Sequence, residues 1–319
     1  MNASSGNPLS PFLETFGYVV LDGGLATELE ARGYDLDDEL WSARVLLEDP
    51  EAIRQLHYDY LVAGADCVIT ANYQGTLTGF MRRGLSETEA ADLVRSAVTL
   101  AIDARDTFWR EPAHRVGRLK PVVAASVGPY GAFLANGSEY TGAYDLDEAG
   151  LKAFHRQRWQ LLSQTQADIL ACETIPSLPE CRALLELLLE TPNCYAWFSF
   201  SCRDERHISD GNRLADCLSI LDAHERVAAV GINCTAPEYV PGLLVEARAV
   251  TDKPLLVYPN SGEQYDVTNR RWQGRSDADE FGLACLNWRA AGARIIGGCC
   301  RTGPEHVRQI RKQLRRSDS

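Results

Sequence analysis

A surplus of basic residues is missing from this chain. Its 32 lysines and arginines face 44 aspartates and glutamates, leaving a formal net charge of −12, whereas neutralising a phosphate backbone takes a concentrated basic surface. Broad nucleic-acid binding is therefore excluded. The late group Arg308, Arg311, Lys312, Arg315 and Arg316 reads instead as the cationic half of a last helix, where it complements the dipole. No uninterrupted apolar stretch is long enough to cross a bilayer, and residues 1–10 show neither the charged start nor the apolar run of a secretory signal. A cytoplasmic location is the expectation. Also absent are a GxGxxG fingerprint, an HExxH pair and a CxxC pair, the usual marks of a dinucleotide site, a zinc protease and a structural zinc finger.

With 319 residues, 45% of them hydrophobic, the chain has room for a substantial core in one large domain or two smaller ones. Eight strand-like segments stand at 17–21, 66–70, 121–127, 168–172, 194–200, 227–232, 254–258 and 293–296. They are continuously apolar more often than alternating, as expected when both faces of a parallel sheet are covered. Amphipathic stretches at 50–63, 87–109, 151–165, 178–189, 213–223, 239–249, 278–291 and 304–314 lie between or after them. Ser86 with Glu89 makes a capping box, and Gly64 and Gly292 stand where helices end. This rhythm, with no linker, predicts an α/β protein, a single-domain (β/α)8 TIM barrel over 1–319 with a short polar N-terminal segment and a final helix. A doubly wound sheet is the alternative. Two longer loops, 129–145 and 260–276, follow strands on the side where barrel enzymes build active sites.

Ten cysteines are too sparse for a disulfide scaffold, and a reducing interior keeps them as thiols. Cys67, Cys181, Cys194, Cys217 and Cys285 sit in apolar or amphipathic runs as small core residues. Cys172 and Cys202 lie near strand ends. Three others also end strands: Cys234 after 227–232, and the doublet Cys299-Cys300 after 293–296. If those strands are near neighbours, three thiolates converge at one rim and leave a fourth position open, the donor set of a catalytic zinc site. Adjacent cysteines on a regular strand point to opposite faces, so Gly297 and Gly298 are expected to supply the backbone angles that turn both sulfurs inward. Cys202 is the nearest fourth protein ligand by element position. His57, His155, His224 and His306 fall in or near helices and His114 and His207 in connections, none in a ligand pattern. A zinc ion already held by three thiolates is a modest Lewis acid, suited to activating a further thiol for attack on carbon.

The segments LDGGLATELE, VITANYQGT, ADILACET, VGINCTAP, VYPNSGE and IIGGCCRTGPEHV, spread over nearly the whole chain, resemble those of the zinc-dependent homocysteine S-methyltransferases. The resemblance implies a barrel in which Cys234, Cys299 and Cys300 bind Zn2+ and the sulfur of L-homocysteine takes the remaining position. It implies that Asp22 is a site carboxylate, that Gly23 and Gly24 close around homocysteine, and that Glu173 meets its amino group. Trp41 is similar to an aromatic residue at the donor pocket, where its face would attract a sulfonium. Asn72, a candidate substrate-binding residue, falls where the betaine-using branch carries threonine. Asn233 and Asn260 are residues that would orient the sulfur ligands or the loop backbone.

What the resemblance implies in reaction terms is methyl transfer from a small sulfonium donor, S-methylmethionine first and S-adenosylmethionine second, giving methionine. Betaine, methyltetrahydrofolate and a selenium acceptor (selenocysteine or selenohomocysteine) are alternatives within the family. Two readings of other classes compete. One is a zinc- or thiol-dependent regulatory protein without turnover; the other is a metal-free hydrolase using Asp22 and Glu173 as a carboxylate pair. Neither a membrane nor a nucleic acid is an expected partner.

Overall fold

The computed structural model describes residues 6–36, 42–262, 264–266, 271–273 and 276–316. In chain order the strands are β1 (Val19–Val20), β2 (Cys67–Ile69), β3 (Val122–Val127), β4 (Ile169–Ile175), β5 (Ala196–Phe200), β6 (Val227–Asn233), β7 (Leu255–Tyr258), β8 (Gln264–Asp266), β9 (Arg271–Gln273) and β10 (Ala293–Ile296). Eight of them form one sheet in the order β1-β10-β7-β6-β5-β4-β3-β2, and every pairing in it is parallel. A parallel bridge between Leu21 and Cys67 joins the two edges. The seam is reinforced by Asp66, whose backbone N–H donates to Val20 O at 2.7 Å and whose Oδ2 accepts from Val20 N at 3.0 Å. The ring closes as a (β/α)8 barrel, and the doubly wound alternative is ruled out by that closure. β8 and β9 form a separate antiparallel hairpin in the loop after β7.

Because side chains alternate across a strand, each barrel strand serves two cores. Val123, Ala125 and Val127 of β3 pack outward against the helices, while Val122 and Ala124 face the interior. The interior column begins apolar, with Leu21, Val122, Ile169, Trp197, Leu256 and Ile295. It turns polar toward the C-terminal rim through Ser126, Glu173, Ser199 and Asn233, all buried. At the opposite end a helix absent from the sequence reading, Ser10–Phe16, buries Leu9 and Phe12 in the interior cluster. Just ahead of it, Asn7 donates from its amide to Ala228 O at 3.2 Å. The barrel floor is thus plugged, and the chemistry is left to the rim.

The helix signals hold where they carry a mechanism. Ser86 and Glu89 form both halves of the capping box of Glu87–Arg110, and Gly64 and Gly292 take φ of 127° and 109°, which only glycine adopts without strain. Strand ends are less exact. β4 continues to Ile175, so Glu173 lies within the strand rather than beyond it. No helix among the described residues is long and apolar enough to cross a membrane.

Candidate metal centre

β6 ends at Asn233, and Cys234 turns away from it with φ of 49°. Its N–H still donates to Tyr258 O of β7 at 3.2 Å. On the other side β10 stops at Ile296, so the doublet belongs to an irregular segment where strand alternation does not apply. That segment is laced to its neighbours: Gly298 N donates to Asp22 O at 3.1 Å, Cys299 N to Pro259 O at 2.8 Å, and Ser261 N to Cys300 O at 3.1 Å. The loops after β1, β7 and β10 are therefore tied to one another through backbone.

The two glycines matter for a reason other than the one expected. Neither adopts a left-handed φ; that conformation falls to Cys234 and to Arg301, at 65°. What they provide is space. A Cβ at Gly297 would sit 2.6 Å from Leu21 Cβ, and one at Gly298 would sit 2.3 Å from Thr302 Oγ1, distances that real atoms do not tolerate.

The Sγ atoms of Cys234, Cys299 and Cys300 lie within 4.8 Å of one another, and Cys234 and Cys300 are 3.5 Å apart. Zinc–sulfur bonds of about 2.3 Å in tetrahedral array set sulfurs about 3.8 Å apart, so the spacing fits that ion. Charge fits too. The Cys234 thiol is pushed well below its ordinary value, first by hydrogen bonds from Cys299 and Cys300. Those two are driven up, chiefly because each donates to Cys234. The cluster accommodates one thiolate by itself, and three side by side call for a cation. Cys202 is not among them: its sulfur contacts Phe200 O at 3.8 Å.

Two carboxylates lie below the sulfurs. Glu173 accepts from the Ser126 hydroxyl and, at 3.3 Å, from Tyr258 OH; the Tyr258 hydroxyl is itself held by Ser199 at 2.6 Å and Trp197 Nε1 at 3.3 Å. Burial pushes the Glu173 carboxyl up to about 7. Asp22 accepts from Ile69 N at 2.8 Å and is raised well above the ordinary carboxylate range, by burial first, with the charge of Glu173 adding to it.

Asn233 does not reach toward the sulfurs. Its Oδ1 accepts from Thr174 N and its Nδ2 donates to Thr174 Oγ1, both at 2.7 Å. Thr174 has φ of 57° where the β4 register shifts, so Asn233 clamps the bulge that aims the adjacent Glu173 inward. Asn72 is wholly buried, its amide accepting from Thr70 Oγ1 at 2.6 Å and donating to Val94 O at 2.9 Å. Both ends are engaged by the protein, so it shapes the loop rather than offering a side chain to a ligand.

Gly24 departs from expectation as well. Expected to close around homocysteine, it has its amide engaged by the protein, donating to Thr302 O at 2.9 Å, and a Cβ there would strike Cys299 O at 2.5 Å. Gly23 packs likewise, a Cβ meeting Thr302 O at 2.7 Å. Asn260 donates its N–H to Thr235 O at 3.0 Å, while its buried Oδ1 finds no partner among the described residues. Trp41 lies outside the described residues.

Sequence reasoning missed Tyr140. It stands in the loop after β3 with 47% of its surface exposed, yet its hydroxyl reaches Cys234 Sγ at 3.3 Å. Negative charge on Cys234 holds the phenol well above its ordinary value, so the hydroxyl keeps its proton and donates. The neighbouring Glu139 buries a carboxylate oxygen without a hydrogen-bond partner among the described residues, and burial raises that carboxyl to about 7. The aromatic content of 129–145 was visible in the sequence; the residue that would meet a sulfur was not.

Barrel and site together define a metal-dependent enzyme, with a three-thiolate zinc centre at the C-terminal rim of a (β/α)8 barrel. Residues 19–314 match the family model described as homocysteine S-methyltransferase, and the chain belongs to that family. It is 53% identical to homocysteine S-methyltransferase YbgG of Bacillus subtilis (strain 168), covering 95% of this chain and 96% of the relative. With selenocysteine Se-methyltransferase of Brassica oleracea var. italica it shares 46% identity over 94% of this chain and 90% of the relative. The metallated crystal structure of the homocysteine methyltransferase MmuM from Escherichia coli superposes with a TM-score of 0.86, at 46% identity, covering 96% of this chain and all of that one. The chain is accordingly a methyltransferase whose chemistry is that of a thiolate-held metal.

Proposed function

We propose that the chain transfers a methyl group from a sulfonium donor, S-methylmethionine before S-adenosylmethionine, to the sulfur of L-homocysteine, and that residues 1–319 act as one homocysteine-binding barrel. The observation that carries this reading is the convergence of three sulfurs within 4.8 Å above two buried carboxylates. Zinc, when held by Cys234, Cys299 and Cys300, supplies the positive charge that lowers the pKa of an acceptor thiol. Glu173 and Asp22 are suited to the substrate ammonium. Their mutual repulsion and burial are relieved by a cation placed between them. Ser126 and Tyr258 hold the Glu173 carboxylate in one orientation for that task. Backbone contact with the substrate carboxylate is assigned to Gly23, since the Gly24 amide is already used.

On the donor side a sulfonium carries positive charge, and Glu139 with Tyr73 and Tyr140 forms an acidic and aromatic corner beside Cys234, in which a cation would draw the Glu139 carboxyl into its ionised form. That corner favours a cationic donor through charge and cation–π attraction. In the reaction the acceptor sulfur gives its electron pair to the methyl carbon. The carbon–sulfur bond of the donor breaks, and its electrons return to the donor sulfur as a neutral thioether. The acceptor thiol proton leaves to solvent. With S-methylmethionine both products are methionine. Because opposite charges are discharged together, the remaining demand is an in-line approach, which is a matter of positioning.

The test is a donor panel with homocysteine under reducing conditions: S-methylmethionine, S-adenosylmethionine, betaine and methyltetrahydrofolate. S-methylmethionine is expected to give the highest kcat/KM, and a preference for betaine would overturn the donor assignment while leaving the metal chemistry intact. The selenocysteine methyltransferase among the relatives supports a second reading in which selenocysteine is the better acceptor. Direct competition between selenocysteine and homocysteine decides that point.

A further inference from the structure

Behind the loop that carries Glu139 and Tyr140 lies a buried chain of charged groups with no part in the site described so far. Arg158, 2% exposed, projects from the helix Glu148–Ser163. Its Nη2 donates to Gly128 O and, at 2.9 Å, to His155 Nδ1, and its Nη1 donates to Tyr73 O at 3.4 Å. Guanidinium nitrogens only donate, so His155 Nδ1 is an acceptor and the ring proton sits on Nε2. That Nε2–H donates to Glu180 Oε1 at 2.8 Å, and the same oxygen accepts from Tyr130 N at 2.6 Å. Arg158 and Glu180 thus form an ion pair bridged by a neutral imidazole, and both ends grip backbone.

The gripped backbone belongs to two rim loops. Tyr73 follows β2, and Gly128 and Tyr130 begin the loop after β3. The two loops meet without slack at Gly128, where a Cβ would lie 2.4 Å from Tyr73 O, and the second loop folds back tightly on itself at Gly131, where a Cβ would lie 2.3 Å from Glu139 N. A displacement at Gly128 is therefore handed through Gly131 to Glu139 and Tyr140, beside Cys234. Burying an Arg–Glu pair costs more in desolvation than it returns unless its geometry is well satisfied. The return here is a set of three backbone contacts, all on the donor side of the rim.

We propose that Arg158, oriented by His155 and Glu180, is a positioning residue for the methyl donor: it sets Tyr73 and the 128–140 loop, and through them the donor-binding corner. This rests on the donor-side reading given under Proposed function. Arg158, His155 and Glu180 are buried behind that corner and act through the Tyr73 and 128–140 backbone, so the effect belongs in donor KM and not in metal or homocysteine binding.

The test uses zinc-loaded full-length protein and the variants Arg158→Met and Arg158→Lys. Wild-type turnover is measured first with S-methylmethionine; no turnover would refute the donor reading by itself, and the comparison is then made with the donor the panel identifies. Arg158→Met is expected to raise donor KM roughly tenfold while homocysteine affinity by calorimetry and zinc content stay at wild-type values. Arg158→Lys, which replaces the fork by one cationic head, is expected to recover part of the loss, leaving donor KM roughly threefold above wild type. Unchanged donor KM, or donor and homocysteine affinity falling together, overturns the proposal. If Arg158→Met does not fold, Arg158→Lys decides by the same split.

Discussion

Cys234 occupies a backbone conformation, φ 49°, that a non-glycine side chain adopts at a cost of roughly 1 kcal/mol or more. The strain persists because Cys234 N is tied to Tyr258 O and because the turn brings its sulfur to Cys300. Its replacement by serine keeps shape but exchanges a soft ligand for a hard one. Cys234→Ser is expected to retain roughly a tenth or less of the wild-type zinc, read by metal analysis of protein purified without chelator. Glu173 makes a different prediction. With its carboxyl near 7, it ionises as pH rises through that value, so homocysteine KM is expected to fall from pH 6 to pH 8. Glu173→Gln should flatten that limb and raise KM roughly a hundredfold, measured as a pH profile for each protein.

The three sulfurs and both carboxylates were legible as residues because each ends a strand or lies in a motif. The partners that aim them were not, since Ser126, Tyr258 and Thr174 reach the site through interstrand register and a bulge that carry no local pattern. Asn233 shows the limit well. Its position at the end of β6 suggested a role toward sulfur, and only the left-handed Thr174 two strands away reveals what it holds.

Among the elements, the turn after β10 is the one on which the centre depends. Its glycines leave no room for a methyl group against Leu21 or Thr302. Gly298→Ala is expected to lower thermal stability by about 1–3 kcal/mol, the cost of overpacking a filled site, and to weaken zinc retention at the same time. Differential scanning calorimetry with parallel metal analysis reads both; a stable variant with weakened zinc retention would leave the turn functional but not structural. Helix legibility followed length. Glu87–Arg110 declares itself by periodicity and a capping box, while Ser10–Phe16 is two turns long and buries one side chain, Phe12. Such a segment is helical because the barrel floor accepts Leu9 and Phe12, which is tertiary information.

At the scale of the molecule, the barrel was readable from eight alternations of continuous apolar runs and amphipathic stretches, because parallel strands covered on both faces must be written that way. Closure was not, since it rests on Leu21 meeting Cys67 and on Asp66 at the seam. The buried fold also sets an acid limit. His57 is fully buried and has no hydrogen-bond partner among the described residues, and burial pushes its imidazole down from 6.5 to about 4. Between those values the unfolded chain binds a proton that the folded chain refuses at this position, so the His57 contribution to stability falls as pH drops through 6.5 and levels off below about 4, against the opposite contribution of the raised Glu173 and Glu139 carboxyls. That contribution amounts to about 3 kcal/mol, and it is read as the change with pH in the stability difference between wild type and His57→Leu, from urea melts taken across the interval.

Three cysteines that hold zinc and leave one position for the acceptor sulfur make a site whose ligand count changes when substrate binds. X-ray absorption at the zinc edge, on reduced protein with and without homocysteine, tests it most directly. The sulfur shell is expected to rise from about three to about four on adding homocysteine. An unchanged sulfur count, or a protein that retains no zinc, would rule that arrangement out.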